Sequence, residues 1–385
     1  MRVAFTLIGG KSWTGGYNYL LNLVTLLTQY GADRVTPVLF FGTDVADGDV
    51  MPFDSVANVQ IEQSPLMNRT RKPESLARSV ALGVDAPVRT LFKAHGVDAV
   101  FENAQFFGRR LGLPAIAWIP DFQHRYLRDL FGWSEYWKRE LGFRAQVAGG
   151  RRIMLSSADA QADCHRFYPD SVGRTHVVRF AVPAQSLLQQ ERAREVADSY
   201  GLPLHYFCMP NQFWQHKNHA LVVDALALAR ERGCDIVVAA CGMQSDPRNP
   251  GYVPALLARI AGQSLDRHLR LLGMIPYEDV RALMMASQAL LNPSRFEGWS
   301  TTVEEARSLG VPMLLSDIRV HREQAGGQAS YFDSESSASL ADALQRHRAV
   351  PDDLRHARAI QATVDSEHRV RAFVREFGEL LECCR

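Results

Sequence analysis

The sequence predicts an α/β protein of two domains, each a parallel sheet with helices on both faces. Three observations point there. Short apolar runs alternate with amphipathic helical stretches along the whole chain, and such alternation is the signature of a parallel sheet. The pattern pauses over Val182–Pro203, a polar stretch with Pro183 at its start, and restarts at Leu204–Met209. The length, 385 residues, exceeds what one core usually serves. We therefore place a first domain at 1–182, a second at 183–365, and a terminal helix at 366–385.

Val3–Ile8 reads as the first strand. Gly9-Gly10-Lys11-Ser12-Trp13-Thr14-Gly15-Gly16 follows, then a helix with Tyr19, Leu20, Leu23, Val24, Leu26 and Leu27 on its apolar face. Strand, glycine-rich loop and helix let backbone approach a phosphate or a sugar. Gly10-Lys11-Ser12 resembles the tail of a P-loop, but Phe5 occupies the required upstream glycine position, and the glycines do not match G-x-G-x-x-G. Val35–Phe41 is a second strand, and residues 42–56 are polar enough to be a loop. Ser75–Ala81 and Pro87–Ala94 read as helices, and Ala99–Phe101 and Ala115–Ile119 as strands. Pro120-Asp121-Phe122-Gln123-His124 leaves the carboxyl end of that last strand, where open α/β sheets bind ligands. Asp121 fits a helix N-cap equally well. Leu127–Val147 reads as one helix rich in Trp, Tyr, Arg and Lys, a content suited either to packing on the sheet or to contact with a membrane surface. Arg152–Ser157, the helix Ala158–Phe167 and the strand His176–Arg179 complete the domain.

In the second domain, Leu204–Met209 is followed by Pro210-Asn211-Gln212-Phe213-Trp214-Gln215-His216-Lys217-Asn218-His219. Ile236–Ala240 and Leu269–Leu272 are strands, the latter ending in Gly273-Met274-Ile275. Ala289–Leu291 is a buried strand, broken by Pro293 and Ser294. Glu297-Gly298-Trp299 opens a loop, and Ser300, Thr301 and Thr302 are good N-cap residues for a helix through Glu304, Glu305, Ala306 and Leu309. Loop amides and helix N-terminus then face one spot that favours a phosphate. Glu297 and Glu305 bracket it, and sugar hydroxyls are the natural partners for carboxylates there. Leu340–His347, Leu354–Thr363 and Val370–Leu381 read as helices.

Composition narrows the function class. A formal net charge of +1 argues against nucleic acid as partner. The six cysteines show no zinc spacing. His216 and His219 lack a third ligand, so no metal is expected. No signal peptide and no membrane span is evident, and a cytoplasmic protein is expected, with the inner membrane face as the site of any contact.

Glu297-Gly298-Trp299 with Glu305-Ala306, followed by Gly310-Val311-Pro312 and Ser316-Asp317, resembles the E-x7-E signature of glycosyltransferase family 4. The resemblance implies a GT-B fold: two Rossmann-like domains facing across a cleft, the first for an acceptor, the second for a nucleoside-diphosphate sugar, with the terminal helix at 366–385 crossing back to the first. It implies retaining transfer to a saccharide or lipid-linked glycan, in polysaccharide assembly, without metal or cofactor. It assigns Gly15 and Gly16 to the donor phosphates and acceptor, Asp121 and His124 to the reacting sugar, and Lys217 to the diphosphate. Gly298, Trp299, Ser300, Thr301 and Thr302 offer amides, Glu305 takes the ribose hydroxyls, Glu297 a donor-sugar hydroxyl, and Gly273, Met274 and Ile275 frame the base. The family's phosphate-binding Arg falls near Asn211 or Gln212, so it is missing; those side chains, Arg295 or His216 are candidate substitutes. Asp121 keeps the family's acid, while Pro120 stands in its His place. A nucleotide-sugar epimerase of the same fold and a non-catalytic sugar-nucleotide-binding protein remain as alternatives; an NAD-dependent oxidoreductase lacks its glycine fingerprint.

Overall fold

The structure, a computed structural model, describes residues 1–7, 14–103, 105–184 and 190–384. Its contacts divide the chain into two units: Met1–Phe122 with Trp133–Ala181 and Arg369–Arg385, and Gln123–Gly132 with Val182–His368. The chain thus enters the second unit for ten residues, Gln123–Gly132, an excursion that hydrophobic periodicity does not announce.

The first unit is a seven-stranded parallel sheet. Its strands are β1 (Arg2–Thr6), β2 (Thr36–Phe41), β3 (Gln60–Gln63), β4 (Ala99–Asn103), β5 (Ala115–Trp118), β6 (Arg152–Leu155) and β7 (Thr175–Val177), in the order β3-β2-β1-β4-β5-β6-β7. Central strands buried on both faces account for their near-continuous apolar runs. Phe5 of β1 and Phe101 of β4 pack at 5.3 Å, and both meet Phe377 of the last helix, at 6.2 and 5.9 Å.

The second unit is a six-stranded parallel sheet of β8 (Phe207–Met209), β9 (Val238–Cys241), β10 (Leu269–Gly273), β11 (Ala289–Asn292), β12 (Met313–Ser316) and β13 (Ala329–Phe332), ordered β10-β9-β8-β11-β12-β13. Side chains alternate across it with the strand period of two. Phe207, Met209, Ala289, Leu291 and Leu314 enter one core, and Cys208, Leu290, Met313 and Leu315 the other. Gly310 ends the helix Thr301–Leu309 at φ 70°, and a Cβ there would lie 2.7 Å from the Arg358 backbone.

Several sequence expectations are corrected. Residues 42–56 hold a helix, Asp47–Asp54, with Pro52 inside it. Leu127–Val147 is interrupted: a short 3₁₀ turn, Arg128–Leu130, precedes a helix that starts at Trp133. Leu354–Thr363 and Val370–Leu381 are one continuous helix, Asp352–Glu382. Among the described residues no helix is long and apolar enough to cross a membrane.

Candidate active site at the second sheet

The order of the second sheet reverses between β8 and β11, which are neighbours. Connections leave this pair in opposite directions, so their following loops part and open a crevice at the carboxyl ends. The loop after β8 carries Lys217, and the loop after β11 carries Glu297.

The two loops are tied together. Asn218, at φ 63°, donates from Nδ2 to the Pro293 carbonyl at 3.2 Å and to the Ser334 carbonyl at 2.9 Å. The Arg295 amide donates to the His216 carbonyl at 2.9 Å. These bonds bring Lys217 Nζ to 2.6 Å from Glu297 Oε1, with both side chains mostly buried. His321 lies within the field of both groups. Its Nδ1 sits 3.0 Å from the Ser316 carbonyl, and burial lowers its pKa despite Glu297. Its Nε2 and Asn211 Nδ2 are buried polar atoms without a hydrogen-bond partner.

Glu305 occupies the helix Thr301–Leu309 and is half-buried at its surface. Its carboxylate is nonetheless packed closely enough that burial pushes its pKa up to about 7, while the Tyr277 hydroxyl, 3.3 Å from Oε1, and Arg281 pull it back down. The same charge, added to burial, raises the Cys241 thiol to about 12.

Ser300 is the N-cap of this helix, as the sequence suggests, but its hydroxyl does not cap it. Asn292 Nδ2 donates to that hydroxyl at 3.0 Å. The Ser300 amide is committed as well: it donates to Gln324 Oε1 at 3.2 Å, and Gln324 Nε2 returns a bond to the Ser300 carbonyl at 2.7 Å. This corrects the expectation that the Ser300 amide faces a phosphate. Gly298, Trp299, Thr301 and Thr302 stay at the loop and the first turn, all partly exposed. The candidate substitutes for the missing cation differ in what they already hold. Arg295 is held by Glu335 through two hydrogen bonds at 2.9 and 3.2 Å. Gln212 spends its Oε1 on the Met243 amide at 3.0 Å. Asn211 packs against Gly242, where φ is 143° and a Cβ would sit 2.4 Å from the Asn211 carbonyl oxygen. Gly273 accepts from the Gly242 amide at 2.9 Å, and Met274 beyond it is exposed. His219 is fully buried and stacks on Phe213 at 4.1 Å; burial, then Lys217, bring its pKa down to about 3.

The other expected site residues are not gathered with these by any described contact. Gly15 and Gly16 lie in the first turn of the helix Thr14–Tyr30 of the first unit, and residues 8–13 lie outside the described residues. Asp121 accepts from Arg139 Nη2 at 2.6 Å in the first unit. His124 is fully buried in the second, against Phe131 at 6.3 Å. Among the described residues no group of three or more His, Cys, Asp or Glu could hold a metal ion.

Residues 201–362 match the family described as Glycosyl transferases group 1. This segment resembles a group 1 glycosyltransferase domain. A curated relative, the O-antigen chain mannosyltransferase RfbU of Salmonella typhimurium, is 24% identical over 149 residues, 38% of this chain and 40% of its own length. Two solved structures share the fold. HepE of Anabaena, in complex with UDP and glucose, superposes with a TM-score of 0.71 at 16% identity, with both chains covered in full. WaaG, a glycosyltransferase involved in lipopolysaccharide biosynthesis, superposes at 0.62 and 16% identity over 95% of each chain. Two parallel α/β units with these neighbours make the fold GT-B. Within the matched segment, the sequence reading missed Asn292, Gln324 and His321. No motif marks them; they sit at a strand end and on a helix whose proximity to the loops is a product of sheet order.

Proposed function

We propose that this protein transfers a sugar from a nucleoside-diphosphate sugar to a hydroxyl of a saccharide or lipid-linked glycan, with retention of configuration. The Lys217–Glu297 pair at the reversal point of the second sheet carries this reading. A lysine held there by a carboxylate is poised to share its charge with an arriving diphosphate. Buried Asn211 Nδ2 and His321 Nε2 stand without partners, and a polar ligand would satisfy such groups.

In the reaction, the bond between the anomeric carbon and the diphosphate oxygen breaks. The acceptor oxygen bonds to that carbon, and its proton passes to the departing phosphate. Lys217 stabilises the charge that grows on the leaving group, where a fixed cation contributes most. Glu297 receives a donor-sugar hydroxyl, and Glu305 the ribose diol. The first unit takes the acceptor.

A screen of UDP, GDP, dTDP, CMP and ADP by thermal shift identifies the base, because a bound nucleotide raises the melting point by mass action. Lys217→Ala and Glu305→Ala each lower turnover by on the order of 100-fold or more. The product anomer, read by NMR, matches the donor's. No shift with any nucleotide, or wild-type turnover by either variant, refutes the assignment.

A lipid-linked acceptor implies a membrane surface. The helix Trp133–Ala148 exposes Trp133 (73%), Trp137 (39%) and Leu141 (59%), each four residues from the next. Lys72 lies near Lys138 of that helix and near Arg69, and its pKa is lowered by burial and then by those two charges. An apolar stripe beside crowded cations suits anionic lipid. Vesicles of phosphatidylcholine with phosphatidylglycerol should sediment the protein, and Trp133→Ala/Trp137→Ala/Leu141→Ala should abolish this; equal binding by that variant removes the surface from the account.

A further inference from the structure

The excursion Gln123–Gly132 has a use that the transfer chemistry leaves unassigned. Its contacts within the second unit converge on Arg248, in the loop after β9. Arg248 Nη1 donates to Gln123 Oε1 at 2.9 Å. Its guanidinium lies 4.6 Å from the Phe131 ring centroid and 5.3 Å from that of Trp214. A guanidinium within reach of two aromatic rings is held by both. Gln123, His124 and Phe131 are all buried, so the segment is packed rather than draped.

Arg248 in turn belongs to the scaffold of the Lys217 turn. Asp246, itself buried, accepts the Arg248 amide at 2.9 Å and the Gln215 amide at 2.8 Å. Asn249 Nδ2 donates to Gln215 Oε1 at 2.9 Å. Gln215–Lys217 is a single 3₁₀ turn, so fixing Trp214 and Gln215 fixes the root of Lys217. The segment also reaches the other arm of the ion pair. Tyr126 packs on Phe296 with ring centroids 5.4 Å apart, and Phe296 is the residue before Glu297.

We propose that Gln123–Gly132 is a latch that sets the geometry of the Lys217–Glu297 pair, with Arg248 as its positioning residue. One end of the latch holds the lysine loop through Arg248 and Trp214. The other holds the glutamate loop through Tyr126 and Phe296. This rests on the donor site assigned above, and it adds that the site is completed by a segment donated from the N-terminal half of the chain.

Hydrogen exchange on the full, unliganded chain tests the latch without any substrate. Arg248→Ala and Phe131→Ala should speed exchange at 214–218, and Tyr126→Ala should speed it at 293–299, each with the rest of the second sheet unchanged. Unaltered exchange in all three variants overturns the proposal. In transfer assays, Arg248→Ala should lower kcat on the order of 10- to 100-fold, as a displaced catalytic group does, while KM for the donor moves little. The loss should vanish in a Lys217→Ala background, since both act through one group. Full rescue by Arg248→Lys, which keeps the charge but not the planar stack, would instead mark Arg248 as a direct ligand contact and sink the latch. If wild-type protein binds no nucleotide, the donor-site assignment falls, and the exchange experiment still decides the latch.

Discussion

Glu305 carries a carboxyl whose state changes near neutrality. Burial places its pKa at about 7, above the ordinary carboxylate value. An ionised carboxylate accepts both hydrogen bonds of a diol, whereas the protonated form gives up one acceptor. Nucleotide affinity should therefore rise about tenfold between pH 6 and pH 8, as the ionised fraction grows through a pKa of 7, and Glu305→Gln should flatten the curve. Calorimetric titration at three pH values checks this. The unliganded protein shows the opposite trend. A carboxyl whose folded pKa is raised binds more protons folded than unfolded, so its contribution is full below the unfolded value and is lost as pH rises through 7. The melting point of the empty protein should fall across that window, and Glu305→Gln should remove this part of the fall. The identity of Glu305 was legible from its spacing to Glu297. Its pKa was not, because burial against Cys208 and Cys241 comes from strands distant in sequence.

At the scale of elements, the strand–loop–helix units that shape the site were the most legible part of the chain. Ala289–Leu291 and the helix after it announce themselves through a continuous apolar run and then polar N-cap residues. What escaped has physical reasons. β3 reads Gln-Ile-Glu-Gln and lies at the sheet edge, partly exposed, so no apolar run marks it. The helix Asp47–Asp54 carries Pro52 and Gly48, which imitate a loop. Ser300 is the N-cap of Thr301–Leu309, as its position suggests, but Asn292 takes its hydroxyl and Gln324, from another helix, takes its amide, and neither contact is visible in local sequence. Replacing Gln324 by Ala should cost about 1–3 kcal/mol, since it strands the buried Ser300 peptide groups. Gly242→Ala should cost a similar amount, about 1–3 kcal/mol for a left-handed position forced to carry a Cβ, and it should also weaken nucleotide binding, because the new methyl meets the Asn211 carbonyl. Denaturant titration and the thermal-shift screen separate the two effects.

For the whole molecule, the division into two units is not a division of the chain into two halves. The helix Asp352–Glu382 starts in the second unit and ends in the first, where Phe373 and Phe377 are fully buried. Phe377→Ala should therefore remove about 3–5 kcal/mol, as large-to-small changes at buried aromatics do, and remove it from the first unit. In calorimetry with saturating nucleotide, the transition raised by the ligand should keep its place while the other falls; a loss shared equally by both would contradict the assignment.

That helix also sets an order of events at the ribosome. The strands of the second unit have all been synthesised once residue 332 has been added, while the first unit still waits for the aromatic side chains that close its core against Phe5 and Phe101. A nascent chain stalled shortly after that point holds every strand of the second unit and only an unfinished first unit, whose apolar interior stays open until residues 373–377 have been added.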